Sequence, residues 1–163
     1  MIVREATEAD LPQILEIYND AILNTTAVYD YNPHTLEMRQ QWFAMKKEQG
    51  FPVFVAEENG EVLGFSSIGP FRPWTGYKFT VENLIYVAEK ARGKGISKLL
   101  MQPLIDAARN LNMHVIVAGI DATNDISINL HKKFGFEEVG LFKQVGYKFD
   151  RWLDLKFLQL TLK

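Results

Sequence analysis

The hydrophobic period of this chain changes abruptly after Gly50, from helical to strand-like, and that switch constrains the fold more than any other feature. Before it, Leu11, Ile14, Leu15, Tyr18 and Ile22 fall on one face of a helix that Asp10 can cap and whose first turn accepts Pro12. A second helix is expected from Thr35 to about Gln49, where Met38, Trp42 and Met45 form a stripe beside Leu36 and Phe43. Beyond Gly50, Val53 to Ala56 and Val62 to Ile68 are β-rich runs joined around Asn59-Gly60, a dipeptide that tolerates the positive φ angles of a tight hairpin turn. An aromatic loop follows from Phe71 to Phe79, then a strand from Thr80 to Val87. A helix through Leu99, Leu100, Leu104, Ile105 and Ala108 comes next, with Pro103 expected to kink it or to remove one hydrogen bond. Val115 to Ile120 is a buried strand, Asn124 to Phe134 a helix stopped by Gly135, and Leu141 to Phe149 and Trp152 to Leu162 are two long strands. With a short first strand at Ile2 to Arg4, the expectation is an α/β domain: a mixed, mostly antiparallel sheet with about four helices.

Length and composition set the outer bounds. A chain of 163 residues, 47% hydrophobic and 23% charged, suits one soluble domain with a substantial core. Eighteen basic residues against twenty acidic ones leave a formal charge of -2, which gives no bulk attraction for nucleic acid or an anionic membrane. The absence of cysteine excludes a disulfide framework, thiolate zinc sites and a cysteine nucleophile, and fits a cytoplasmic protein. Met1 to Glu5 does not resemble a leader, and no apolar run is long enough to span a bilayer, so no membrane association is expected.

Arg92-Gly93-Lys94-Gly95-Ile96-Ser97 lies between a strand and an amphipathic helix, where free backbone N–H groups and the positive helix end can hold a phosphate. Arg92, Lys94 and Lys98 make the local field positive. The plainer reading is a glycine turn beside solvated lysines. The spacing matches neither a P-loop nor the dinucleotide-binding fingerprint.

Arg-x-x-Gly-x-small after a strand and before a helix resembles the pyrophosphate loop of the GCN5-related N-acetyltransferase (GNAT) superfamily, with Arg92, Gly95 and Ser97 at the three positions. Ser97 stands where glycine or alanine is usual. Three further segments carry the resemblance, and they point to the phosphinothricin acetyltransferase-like and methionine sulfoximine/sulfone acetyltransferase-like branch: Asp10 to Tyr18, Gly69 to Arg72 through Glu82, and Val145 to Asp154. The resemblance implies a GNAT fold of about seven strands spanning the whole chain, acetyl-coenzyme A as co-substrate, no metal, and a homodimer.

It also implies roles. Asn124, Ser127 and His131 share one helix face, opposite Ile126, Leu130 and Phe134. A solvated polar stripe is the plainer reading; in the superfamily that helix borders the pantetheine arm, and the residue at the His131 position protonates the departing thiolate. Glu82 breaks the rule against acids inside a buried strand, which marks it as a candidate general base, although an edge-strand glutamate facing water would look the same. Main-chain groups of Ile85, Tyr86 and Val87 are expected to bind pantetheine as an added strand would, and to stabilise the oxyanion.

Arg72, Trp74, Tyr77 and Thr80 cluster before Glu82, and Tyr29 lies between the first two helices, where the superfamily builds its acceptor site. Arg72 can grip an α-carboxylate bidentately. Related phosphinothricin enzymes tend to place a second basic residue where this chain has Trp74, which favours a less charged side chain on the acceptor. The expected activity is acetyl transfer to the amino group of a small amino-acid-like compound, in a detoxifying role. The alternatives are another amine, such as a protein amino terminus or a polyamine, or a non-catalytic coenzyme A sensor.

Overall fold

The computed structural model describes residues 1–163. Its elements run β1 (Ile2–Glu5), α1 (Leu11–Asn24), α2 (Leu36–Gln49), β2 (Val53–Glu58), β3 (Glu61–Pro70), β4 (Thr80–Val87), α3 (Ile96–Asn110), β5 (Val115–Asp121), α4 (Asp125–Lys133), β6 (Glu137–Lys148) and β7 (Arg151–Thr161). The seven strands form one sheet in the order β1-β2-β3-β4-β5-β7-β6. Only β4 and β5 run parallel; every other pair is antiparallel. The expected mixed sheet with four helices is therefore the observed fold.

Helices cover both faces. On one side Leu11, Ile14 and Ile17 of α1 and Phe43 of α2 pack on Val53, Val55, Val62 and Phe65. On the other, Met101, Leu104 and Ile105 of α3 and Ile128 of α4 pack on Ile68, Val81, Ile116, Ala118 and Leu158. Burying each large apolar side chain in these layers contributes about 1.5–3 kcal/mol. Asn59 and Gly60 both have positive φ, 52° and 80°, so the expected hairpin turn joins β2 to β3.

Several local expectations are corrected. Met38, Met45 and Leu36 are exposed, and the buried face of α2 is instead Arg39, Phe43 and Lys46. The Arg39 guanidinium lies 4.2 Å over the Tyr18 ring and 4.5 Å over Trp42, so aromatic faces bury what charge alone would expel. Asp10 makes no side-chain cap on α1; its carboxylate receives Arg4 through two bonds of 2.8 Å and the Thr7 N–H at 2.8 Å. Ile126 on α4 is 86% exposed, while Ile128 and His131 are buried. Phe149 belongs to the turn between β6 and β7, not to a strand. The expectation for Pro103 stands in its second form: α3 continues through it to Asn110, and the proline, having no N–H, removes one hydrogen bond.

One break in the sheet positions the site. β4 and β5 pair only at Thr80↔Val115, Val81↔Ile116 and Glu82↔Val117, after which they part.

Candidate active site

The parting of β4 and β5 exposes a set of main-chain groups that can be assigned by alternation. The Ala88 N–H bonds the Leu63 carbonyl and the Thr80 carbonyl accepts from Phe71, so even-numbered β4 residues bond β3. Odd-numbered residues point toward β5; the Glu82↔Val117 pairing is made by Val81 and Asn83, and beyond Asn83 nothing in β5 meets them. Main-chain groups of Ile85 and Val87 are thus free to bind an extended ligand. Those of Tyr86, which sequence alone placed in the same role, are directed at β3. The Tyr86 ring packs against Tyr18 and Phe65, at 5.3 and 5.5 Å between ring centroids.

Glu82 is the last β4 residue still paired with β5, and its side chain is half-buried. Gly69 is its cross-strand partner in β3. Burial raises its carboxyl above the usual range, and the nearby Arg72 guanidinium offsets part of that rise. Its Oε1 lies 3.5 Å from where a β-carbon on Gly119 would sit.

Past β4 the chain makes one short helical turn, Glu89–Ala91, and enters the glycine loop. Gly93 and Gly95 have φ of 80° and 78°, left-handed values that cost any other residue about 1–2 kcal/mol. Gly95 is the N-cap of α3 and offers no side chain, so the first-turn N–H groups of Ile96, Ser97 and Lys98 stay available. The Ile96 side chain is buried in the core beside Leu63 and Leu100; only its N–H can serve a ligand. Arg92, Lys94 and Lys98 are exposed, and Arg92 pairs with Asp20 of α1 at 3.2 Å. These free amides, positive side chains and helix end suit a diphosphate.

Asn124, Ser127 and His131 share α4, but two of them close local bonds. The Asn124 Oδ1 accepts from the Ser127 N–H at 3.2 Å, capping the helix. His131 is 5% exposed, with its Nδ1 2.7 Å from the Ser127 carbonyl and its Nε2 3.0 Å from the Asn83 Nδ2. A carbonyl can only accept, so Nδ1 carries the proton, and Nε2 accepts from Asn83. Burial lowers the pKa of the ring, which is consequently neutral. The residue expected to serve as thiolate acid is thus tied through one ring nitrogen to Ser127 and through the other to Asn83. Asn83, which the sequence did not single out, joins β4 to α4 across the gap.

Most of the acceptor-side residues lie in the loop that leads from β3 into β4. Arg72 is exposed, with its guanidinium 5.0 Å from the centre of the Phe71 ring. Trp74, 66% exposed, and Tyr77 stand 6.5 Å apart between ring centroids. Thr80 begins β4. Tyr29 is held differently from these. Its hydroxyl donates to the Asp154 carbonyl at 3.0 Å, its ring covers Gly146, and burial pushes its hydroxyl up to about 12. The same loop is strapped to the β6–β7 hairpin by Lys148, whose Nζ donates to the Val28 carbonyl at 2.7 Å, and by the Tyr31 hydroxyl on the Tyr147 carbonyl. Long-range bonds of this kind leave no periodic trace in a sequence.

The comparisons agree with this geometry. Residues 3–156 match the model of the acetyltransferase (GNAT) domain. The chain is 50% identical over 161 residues to the L-methionine sulfoximine/L-methionine sulfone acetyltransferase of Pseudomonas paraeruginosa, covering 98% of this chain and 94% of that one. It is 36% identical over 163 residues to the phosphinothricin N-acetyltransferase of Streptomyces coelicolor, covering 98% and 95%. An acetyltransferase from Salmonella typhimurium, solved with acetyl-CoA as its cofactor, superimposes with a TM-score of 0.98 at 43% identity, over 99% of this chain and 94% of that one. A chain that matches the family along this length and opens β4 from β5 above a helix-capping glycine loop is an N-acetyltransferase and belongs to the GNAT acetyltransferase family.

Proposed function

We propose that this N-acetyltransferase transfers acetyl from acetyl-coenzyme A to the amino group of a small amino-acid-like acceptor of the methionine sulfone, methionine sulfoximine or phosphinothricin type. The observation that carries the reading is the half-buried Glu82 carboxylate at the mouth of the β4–β5 gap with Arg72 close enough to act on it. A cationic and an anionic group so placed match the two charges of an amino acid. The relative of Pseudomonas paraeruginosa, named for methionine sulfoximine and sulfone, supports the acceptor class.

The amides of residues 93 to 98 and the side chains of Arg92, Lys94 and Lys98 hold the diphosphate, while the free main-chain groups of Ile85 and Val87 align the pantetheine. Asn124 and Ser127 line the other wall of the gap. Acetyl-coenzyme A supplies an activated acyl group as a thioester. Arg72 grips the acceptor's carboxylate, and Trp74, Tyr77, Thr80 and Tyr29 shape the room for its side chain. Glu82 accepts one proton from the ammonium, freeing the nitrogen lone pair for attack on the carbonyl carbon. An N–H of the odd-numbered β4 set steadies the oxygen as charge develops there. As the carbon–sulfur bond breaks, the nitrogen sheds a second proton and the sulfur leaves as a thiol. His131 holds Asn83 and the wall of the gap through both ring nitrogens.

Detoxification in the cytoplasm is the role that fits such an acceptor, and no helix is long and apolar enough to cross a membrane. A homodimer is supported by the apolar side chains exposed on the β6–β7 hairpin, among them Phe142, Val145, Tyr147, Phe149 and Trp152.

The test is a product screen by mass spectrometry with acetyl-coenzyme A and a panel of methionine sulfone, methionine sulfoximine, phosphinothricin, polyamines and amino-terminal peptides. Acetylated amino-acid analogues are expected. Exclusive acetylation of peptides or polyamines would overturn the acceptor class.

A further inference from the structure

Asp121 is the last residue of β5, and its side chain is 4% exposed. One carboxylate oxygen is occupied locally: Oδ1 accepts from the Thr123 N–H at 3.0 Å and from the Thr123 hydroxyl at 3.1 Å. The other, Oδ2, is buried and has no hydrogen-bond partner. An ionised carboxylate can only accept, and a buried acceptor left without a donor is costly, so such atoms call for a specific explanation.

Strand alternation says which way this side chain faces. Ile116, Ala118 and Ile120 of β5 belong to the core beneath α3 and α4. Val117, Gly119 and Asp121 therefore point to the opposite face, the one on which the Glu82 carboxylate meets Gly119. Gly119 itself is exposed, and the side chains of Phe157 and Leu155 border the space beside it. Two residues along a strand span about 6.6 Å, which sets Asp121 that far beyond Gly119 along the same face of β5. Tyr29 stands near enough to feel the Asp121 charge. On this face Glu82 has Arg72 as a neighbouring cation, whereas the Asp121 Oδ2 has no donor of any kind.

We infer that Asp121 is a specificity residue that receives the acceptor's ammonium group, donating no proton chemistry of its own but selecting a cationic amine and seating it over Gly119 beside Glu82. This rests on the acceptor class proposed above. An ammonium has three N–H donors, one for Glu82 and one for the unpartnered Oδ2, while Arg72 takes the carboxylate at the other end. The three groups together read a zwitterion, and a neutral amine or an alcohol leaves the buried oxygen unsatisfied.

The experiment compares wild type with Asp121→Asn, a neutral replacement of the same shape, in acetyl transfer to L-methionine sulfone and in competition by its 2-hydroxy analogue, where a hydroxyl replaces the ammonium. In the variant KM for the sulfone rises at least about tenfold, kcat changes little, acetyl-coenzyme A affinity is unchanged, and the preference for ammonium over hydroxyl disappears. An unchanged KM, or an equal loss of affinity for the sulfone and its hydroxy analogue, overturns the inference. Should Asp121→Asn fail to fold, Gly119→Val gives the second reading, because a side chain there fills the space next to the Glu82 Oε1. Its acceptor KM rises at least about tenfold with acetyl-coenzyme A affinity intact, and an unchanged KM overturns the placement. Absence of transfer to any amino-acid analogue by the wild type brings down the acceptor class and this inference together, whereas an active wild type with an indifferent Asp121→Asn brings down this inference alone.

Discussion

Glu82 reaches across to the side-chain face of Gly119: its Oε1 lies 3.5 Å from where a β-carbon would stand on the neighbouring strand. The carboxylate is thereby held over the point where β4 and β5 separate, partly shielded from water, and its pKa is raised by that burial. A carboxylate in this position is close to the gap without blocking it.

Replacing Glu82 by Gln removes the carboxylate proposed as proton acceptor and leaves the sheet intact. Turnover at pH 7 is expected to fall by about 10²–10⁴, with acetyl-coenzyme A binding unchanged by calorimetry. The wild-type rate rises with pH as the carboxyl ionises, and this acid limb is absent in the variant. Stability moves the other way. Because the folded-state pKa lies above the unfolded one, ionisation costs the folded state, and that cost is complete above the folded pKa. Glu82→Gln therefore melts higher than wild type near neutrality and equally at a pH below the unfolded value.

In the glycine loop before α3, Gly95→Ala places a side chain at φ of 78° and costs about 1–2 kcal/mol. The loop must distort to accommodate it, so acetyl-coenzyme A affinity falls while acceptor KM at saturating coenzyme holds. Equal affinity for the coenzyme in both proteins would separate the loop from diphosphate binding.

Lys46 is buried between Trp42 and Phe51, donates to the Ile68 carbonyl at 2.7 Å, and has its pKa lowered by that burial to about 8. Its charge costs the folded state stability below that value, and the cost is relieved as pH rises from about 8 toward 10.5. Urea denaturation of wild type and Lys46→Met should accordingly show the difference shifting toward wild type by on the order of 2 kcal/mol between pH 7 and 10.

Asp10 behaves in the opposite sense. The Arg4 guanidinium and the Thr7 N–H hold its carboxyl below the usual value, so its contribution is present above the unfolded pKa and lost as pH falls through the folded one. Asp10→Asn is expected to destabilise by about 2 kcal/mol at pH 7, with the gap to wild type closing in acid.

Local chemistry was readable wherever one residue's own conformation or a short period decided the outcome. Asn59-Gly60 announced its turn, Gly93 and Gly95 announced the loop, and Glu82 stood out as an acid in a strand. The same period-based reading went astray on α2, where the apolar stripe of Met38 and Met45 faces water and Arg39 is 3% exposed. Arg39 is buried by two aromatic rings, one of them Tyr18 on a different helix, and such a partner is invisible to spacing along one helix.

The elements, the glycine loop and the unusual strand position of Glu82 are thus legible along the chain, because backbone preference and amphipathic period act over a few residues. Only the tertiary structure decided that β4 leaves β5 immediately after Glu82, that His131 spends both ring nitrogens on Ser127 and Asn83, and that Asp121 keeps an unmatched oxygen on the face where Glu82 meets Gly119. Those facts depend on strand register and on contacts between residues far apart in the chain, where the energy of a side chain is set by neighbours that the local sequence does not contain.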